Sequence, residues 1–198
     1  MKSLEALIEK ALELKEKGLS EKEIGDELHL SLNTVTWLLV KGLKGGAPPP
    51  DVKIGWRSVG VYANRIGFVS ATMSDIILEE MEKTGEDFDS ICGIAINGIP
   101  YATFVSEELG KELVIYRPSE ARHRGGGLFS SNYAGVEEKK IVIVDDILSS
   151  GDTIKGAIAD ITESGGSALL AVVMVNKTEH DEIDGVRLRA MVRARAIA

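Results

Sequence analysis

The chain has almost no cysteine. Cys92 stands alone inside the apolar run SICGIAI, so a disulfide framework is excluded and a reducing compartment is expected. No apolar run approaches the length needed to cross a bilayer. The N-terminus, MKSLEALIEKALELKEKG, reads as a charged amphipathic helix and lacks the form of a signal peptide. A cytoplasmic protein is therefore expected. There is no excess of positive charge either: the net charge is −8 and the pI about 5.0, which excludes a wholesale polyanion binder but leaves room for a local basic surface. What remains is ordinary for a globular protein, with 44% hydrophobic and 27% charged residues in 198, enough for one full domain and a small one.

Composition shifts at GGAPPP, residues 45–50. Two glycines and three prolines cannot continue a helix and suit a semi-rigid connector. This divides the chain into residues 1–44, a linker over 45–50, and residues 51–198.

The first part predicts three helices. Leu4, Leu7, Ile8, Ala11, Leu12 and Leu14 recur at helical spacing up to Gly18. GLSEKEIGDELHL carries a capping box, Ser20 with Glu23, and Ile24 and Leu28 form its buried face. After His29-Leu30, Ser31 is a second N-cap for LNTVTWLLVKG, with Leu32, Val35, Leu38 and Leu39 expected inward. This pattern resembles the helix-turn-helix of prokaryotic regulators, with Gly25 where alanine is usual and His29 where the turn often has glycine. The resemblance implies a third helix in the major groove, with Ser31, Asn33, Thr34 and Thr36 toward base edges and Lys41 and Lys44 on phosphates. Residues 1–46 hold seven Lys and no Arg against eight Asp or Glu, yet residues 28–44 hold two Lys and no acid. The acidic load therefore lies on the first two helices.

In the second part, WRSVGVYANRIGFVS predicts irregular or short-strand structure, with Arg57 and Arg65 as a possible rim to a site, and SDIILEEMEKTG predicts a helix. Strand SICGIAI, a helix from about Pro100 to Leu109, and strand ELVIY follow. After a Gly-rich loop over 117–135 come strand KKIVIVD, helix TIKGAIADITESGG, strand SALLAVVMV and the alternating, edge-like VRLRAMVRARAI. This order gives the α/β class, a parallel sheet flanked by helices, with ligands at the carboxyl ends of its strands.

IVIVDDILSSGDTI, residues 141–154, runs a buried strand into two carboxylates and then a small, hydroxyl-rich loop. Adjacent carboxylates at the end of an apolar strand are costly unless they meet ligand or solvent. Asp145 and Asp146 can accept hydrogen bonds from vicinal ribose hydroxyls or reach a hydrated Mg²⁺. Ser149, Ser150, Gly151, Asp152 and Thr153 then lead into a helix near Ile154, where backbone N–H groups suit a phosphate.

The stretch resembles the phosphoribosyl pyrophosphate (PRPP) motif of type I phosphoribosyltransferases. The resemblance covers nearly all of residues 51–198 and is closest to orotate phosphoribosyltransferase. It implies that Asp145 and Asp146 contact the ribose hydroxyls and that Ser149 to Thr153 bind the 5′-phosphate. CGIAINGIPYAT resembles the family's pyrophosphate loop, which puts Ile96, Asn97 and Gly98 beside the pyrophosphate, with Mg²⁺ arriving on PRPP. The family's catalytic loop reads close to R-K-x-x-K-x-H-G, and YRPSEARHRGG stands here. Arg117 and His123 match, but Pro118 and Ala121 replace the two lysines that neutralise the departing pyrophosphate. Losses of this kind commonly cost about 10² to 10³ each. Arg122 and Arg124 keep the loop basic at other positions.

Taken together, the chain resembles the archaeal orotate-phosphoribosyltransferase-like transcriptional regulators. That resemblance implies a homodimer on a palindromic DNA operator, with PRPP or a related phosphorylated sugar as effector. The alternative is an active orotate-type phosphoribosyltransferase with an accessory helical domain.

Overall fold

The computed structural model describes residues 4–40, 47–118 and 127–196. Lys41, Lys44, Ala121, Arg122, His123 and Arg124 lie outside these residues. Contacts divide the chain into two units. One holds the residues up to Gly55 together with the chain end from Ala194, and the other runs from Trp56 to Arg193. Residues 51–55 thus pack with the helical unit.

The first unit contains helices α1 (Leu4–Glu16), α2 (Glu21–Leu28) and α3 (Leu32–Val40). Ala11, Leu14, Ile24, Leu28, Leu30, Val35 and Leu38 form its core. The capping box at the start of α2 is complete: Glu23 N–H donates to Ser20 Oγ at 3.2 Å and Ser20 N–H donates to Glu23 Oε2 at 2.8 Å. His29 takes the left-handed position that ends α2, with φ 54°. Gly25 is where α2 comes close to the turn, since a Cβ there would lie 3.0 Å from the Leu30 carbonyl oxygen. Leu32 departs from expectation. It is 56% exposed, because the helix buries Val35 and Leu38 on its other side.

The second unit opens with α4 (Arg57–Gly60) and α5 (Ala63–Thr84), so the segment expected to be irregular or short-stranded is helical. A seven-stranded sheet follows, β1 (Ser90–Ile94), β2 (Glu112–Pro118), β3 (Gly127–Phe129), β4 (Lys140–Leu148), β5 (Ser167–Asn176), β6 (Glu182–Ile183) and β7 (Val186–Arg193), in spatial order β3-β2-β1-β4-β5-β7-β6. Strands β2, β1, β4, β5 and β7 are parallel, while β3 and β6 are antiparallel additions at the two edges. Helix α6 (Gly98–Leu109) connects β1 to β2, and α7 (Asp152–Glu163) connects β4 to β5.

The central strands read as unbroken apolar runs because both faces are covered. Ile141 and Ile143 of β4 share a core with Ile154, Ala157, Ile158 and Ile161 of α7. Alternation sends Val142 and Val144 to the opposite face, which α5 and α6 cover. The arginines of β7 are held by acids. Arg187 and Arg189 both meet Glu80 of α5, whose side chain is buried, and Arg187 Nη2 also reaches Glu86 Oε2 at 2.7 Å. Among the described residues no helix is long and apolar enough to cross a membrane.

Candidate ligand site and DNA-reading helix

The chain leaves β1 toward β2 on one side and leaves β4 toward β5 on the other. A crevice opens where connections diverge in this way, at the carboxyl ends of the strands. β1 and β4 are in register with Gly93 beside Val144, so the segment after Ile94 emerges next to Asp145.

That segment is Ile96-Asn97-Gly98. The Ala95–Ile96 peptide is cis, and Ile96 is 83% exposed. Gly98 begins α6 against the backbone of β4, where a Cβ would lie 2.6 Å from the Val144 carbonyl oxygen and 3.0 Å from Asp145 Oδ1. Only glycine permits that approach.

The two aspartates do not end their strand. β4 continues to Leu148, with Asp145 paired to Val173 and Ile147 to Val175. The pleat therefore sends the acids to opposite faces. Asp145 lies on the α7 side, is half-buried, and accepts from the Asp146 N–H at 2.9 Å. Asp146 lies on the α5/α6 side, is 5% exposed, and accepts from Trp56 Nε1 at 2.9 Å. The neighbours register both charges. Burial pushes the Cys92 thiol up to about 12, with Asp145 adding to the shift. Burial pushes the Tyr101 hydroxyl up to about 12 in the same way, with Asp146 adding.

Beyond Leu148 the loop turns through Ser149 and Ser150, and Gly151 at φ +95° opens α7. Ser150 Oγ donates to Asp152 Oδ2 at 2.8 Å. The helix starts at Asp152, so Asp152 and Thr153 form its first turn. The N–H groups of a first turn have no partner within the helix and face outward along its axis. Arg117 is exposed on β2. The structure thus brings Asp145, Asp146, the loop over 149–153 and residues 96–98 to one end of the sheet.

Sequence reasoning missed Trp56 and Tyr101, which flank Asp146. Of the two arginines expected at a rim, Arg57 is exposed, and Arg65 lies 4.4 Å from the Tyr62 ring centroid and donates to the Ser58 carbonyl oxygen at 2.5 Å. Cys92 is fully buried as its apolar surroundings suggested. With so little thiolate and no access, it should react with a thiol reagent at least about a hundredfold more slowly in the native protein than after denaturation. Timed labelling at pH 8 checks this.

The helix expected to read DNA is ordered at its start by the side chains of Ser31 and Thr34. Thr34 Oγ1 and Ser31 N–H both donate to Asp51 Oδ2, at 2.7 and 2.8 Å. Thr34 is 5% exposed, so its hydroxyl fixes the helix start and is turned away from a base edge. Asn33 and Thr36 are exposed, and Thr36 Oγ1 donates to Glu21 Oε2 at 2.6 Å. Together with Trp37, Val40 and Pro49 they line a cleft of about 270 Å³.

Comparison with known proteins agrees with this division. A family described as the phosphoribosyl transferase domain matches residues 64–188, which leaves out the three N-terminal helices. The transcriptional regulator GfcR of Thermoplasma acidophilum is 54% identical over 198 residues, covering 100% of this chain and 98% of that one. The transcriptional regulator GfcR of Archaeoglobus fulgidus is 42% identical over 197 residues, covering 98% of each. Among solved structures, orotate phosphoribosyltransferase from Aeropyrum pernix aligns with TM-score 0.57 at 22% identity, covering 75% of this chain and 81% of that chain. The Mycobacterium tuberculosis H37Rv enzyme in complex with PRPP aligns with TM-score 0.56 at 16% identity, covering 71% and 80%. At such identities the structural likeness carries the fold alone. The match to the regulators runs the full length of the chain, N-terminal helices included, and the chain belongs to the GfcR family of transcriptional regulators, built on the type I phosphoribosyltransferase fold.

Proposed function

We propose that this protein is a cytoplasmic, DNA-binding transcriptional regulator whose phosphoribosyltransferase-like unit binds PRPP or a related phosphorylated sugar as effector. The observation that carries the reading is the convergence of two carboxylates, a glycine-opened helix start and the Gly98 turn at the switch point of the sheet. Hydroxyl acceptors beside an anion cradle suit a sugar phosphate. Among the described residues no group of three or more His, Cys, Asp or Glu side chains is placed to hold a metal ion. Two adjacent carboxylates suit a Mg²⁺ carried in on its ligand's oxygens better than a dedicated protein cage. Pro118 ends β2 where the transferases' loop carries a lysine, which favours retention of a ligand over expulsion of pyrophosphate.

The N-terminal unit reads a palindromic operator as a homodimer, with half-sites about one helical turn apart. The names of the GfcR relatives support this role. Asn33 and Thr36 form the reading face, Ser31 and Thr34 hold the helix start, and Lys41 and Lys44 supply phosphate contacts. Asn33→Ala with Thr36→Ala should weaken binding to selected genomic DNA by at least about tenfold, one good base contact being worth about 1–3 kcal/mol. PRPP affinity should not change. A normal gel shift from the variant would remove these residues from the interface. A second assay separates regulator from enzyme. PRPP and Mg²⁺ with orotate and a panel of nucleobases should release no pyrophosphate above background, and enzyme-like release would establish the transferase instead.

A further inference from the structure

The indole of Trp56 is seated on one of the two acids. Besides the 2.9 Å hydrogen bond to Asp146 Oδ2, its ring stands edge-on to Tyr101, with centroids 5.8 Å apart and planes at 66°. Tyr101 is fully buried and forms a fixed wall. Gly60 closes the other side, where a Cβ would lie 2.3 Å from Trp56 Cζ3. The ring thus occupies a slot formed by Tyr101, Asp146 and the backbone at Gly60.

The two partners in this hydrogen bond are held very differently. Asp146 belongs to β4, whose pairing with β5 runs through Asp145 before it and Ile147 after it. Trp56 precedes α4, a single turn with no buried residue. Segments with little apolar burial open at low free-energy cost. Asp146 is nearly inaccessible while the indole covers it, so a ligand hydroxyl reaches Oδ2 only when Trp56 gives way.

We propose that Trp56 is a specificity-determining residue of the effector site: its indole N–H occupies Asp146 in the free protein, and a sugar hydroxyl takes that acceptor by displacing it. The inference rests on the reading of Asp145 and Asp146 as hydroxyl acceptors. It separates ligands by chemistry. A phosphorylated sugar with a vicinal diol displaces the indole, whereas inorganic pyrophosphate, which has no carbon-bound hydroxyl, does not. Trp56 also follows directly on Gly55, where the first unit ends, so its release acts on the chain at the boundary between the units.

The full chain has two tryptophans, Trp37 and Trp56, and hence two indole N–H resonances in ¹⁵N-labelled protein. Trp56→Phe removes one and thereby assigns both, while keeping a ring against Tyr101. Titration of the wild type with PRPP and Mg²⁺ should shift the Trp56 resonance, and pyrophosphate with Mg²⁺ should not. By calorimetry W56F should bind PRPP about tenfold more tightly, since the ligand no longer competes with a donor to a carboxylate, and should bind pyrophosphate as the wild type does. PRPP binding with an unmoved Trp56 resonance, or with equal or weaker affinity in W56F, would overturn the displacement and leave the pocket assignment standing. Absence of PRPP binding in both folded proteins would overturn the pocket assignment and this inference together.

Discussion

Exchanging Asp145 and Asp146 together for asparagine should remove measurable PRPP binding and leave the fold intact. The amides match the carboxylates in shape, and the Asn at 146 keeps an oxygen to accept from Trp56. What is lost is charge at the two positions proposed to accept from a sugar's hydroxyls. A hydrogen bond to a charged group contributes about 1.5–3 kcal/mol, so two of them give a loss of about 10² to 10⁴ in affinity. The melting temperature should move by only a few degrees, because the amides keep the shape and an acceptor oxygen at both positions. Calorimetry with PRPP and Mg²⁺ checks the first part and a thermal melt the second. An unchanged dissociation constant would place the ligand elsewhere.

The second large effect is on stability. Asp160 of α7 is 9% exposed and accepts from Tyr116 Oη at 2.8 Å and from the Gly127 N–H. Tyr116 is 1% exposed, and its ring lies so close to Gly127 that a Cβ there would fall 2.3 Å from Cζ. One carboxylate therefore ties α7 to both β2 and β3. Asp160→Ala strands a buried phenol and a buried amide, each at a cost of about 1–3 kcal/mol, for a total of about 2–6 kcal/mol. Asp160→Asn retains an acceptor oxygen and should cost less than half as much. Urea denaturation of the two variants measures the difference. Equal, small losses would mean that water replaces the carboxylate.

The central strands were legible because burial on both faces leaves an uninterrupted apolar run, as in IVIV and LLAVVMV. The acids and the glycine-opened loop were legible because they follow one another within a single short stretch, Asp145 to Thr153. Helix α5 was not legible at its start. Its buried face consists of Ile66, Ser70, Met73, Ser74, Ile77, Glu80 and Met81, so polar residues interrupt the helical period. Ser70 donates to the Tyr101 carbonyl oxygen and Glu80 meets arginines of β7, partners that are distant in sequence. Phe68, 74% exposed, adds a hydrophobe on the wrong side. The inward reading of Leu32 failed for a related reason, because a first-turn residue of a short helix lies beyond the reach of its core. Trp56 had no local signal at all, since its partner Asp146 is 90 positions away. Thr34 looked like a base reader by its place in the motif, and only Asp51, beyond the linker, shows it held at the helix start.

The central claim is that ligand in the sheet's crevice alters DNA occupancy. The most direct test is fluorescence anisotropy of a genomic DNA site, selected by binding to this protein, titrated with the full chain at increasing PRPP and Mg²⁺. The account predicts sequence-specific binding whose affinity PRPP shifts by at least about fivefold, in either direction, as a coupling free energy of about 1 kcal/mol requires. D145N/D146N should bind the same DNA and lose the shift. Specific binding that is identical at every PRPP concentration would contradict the account.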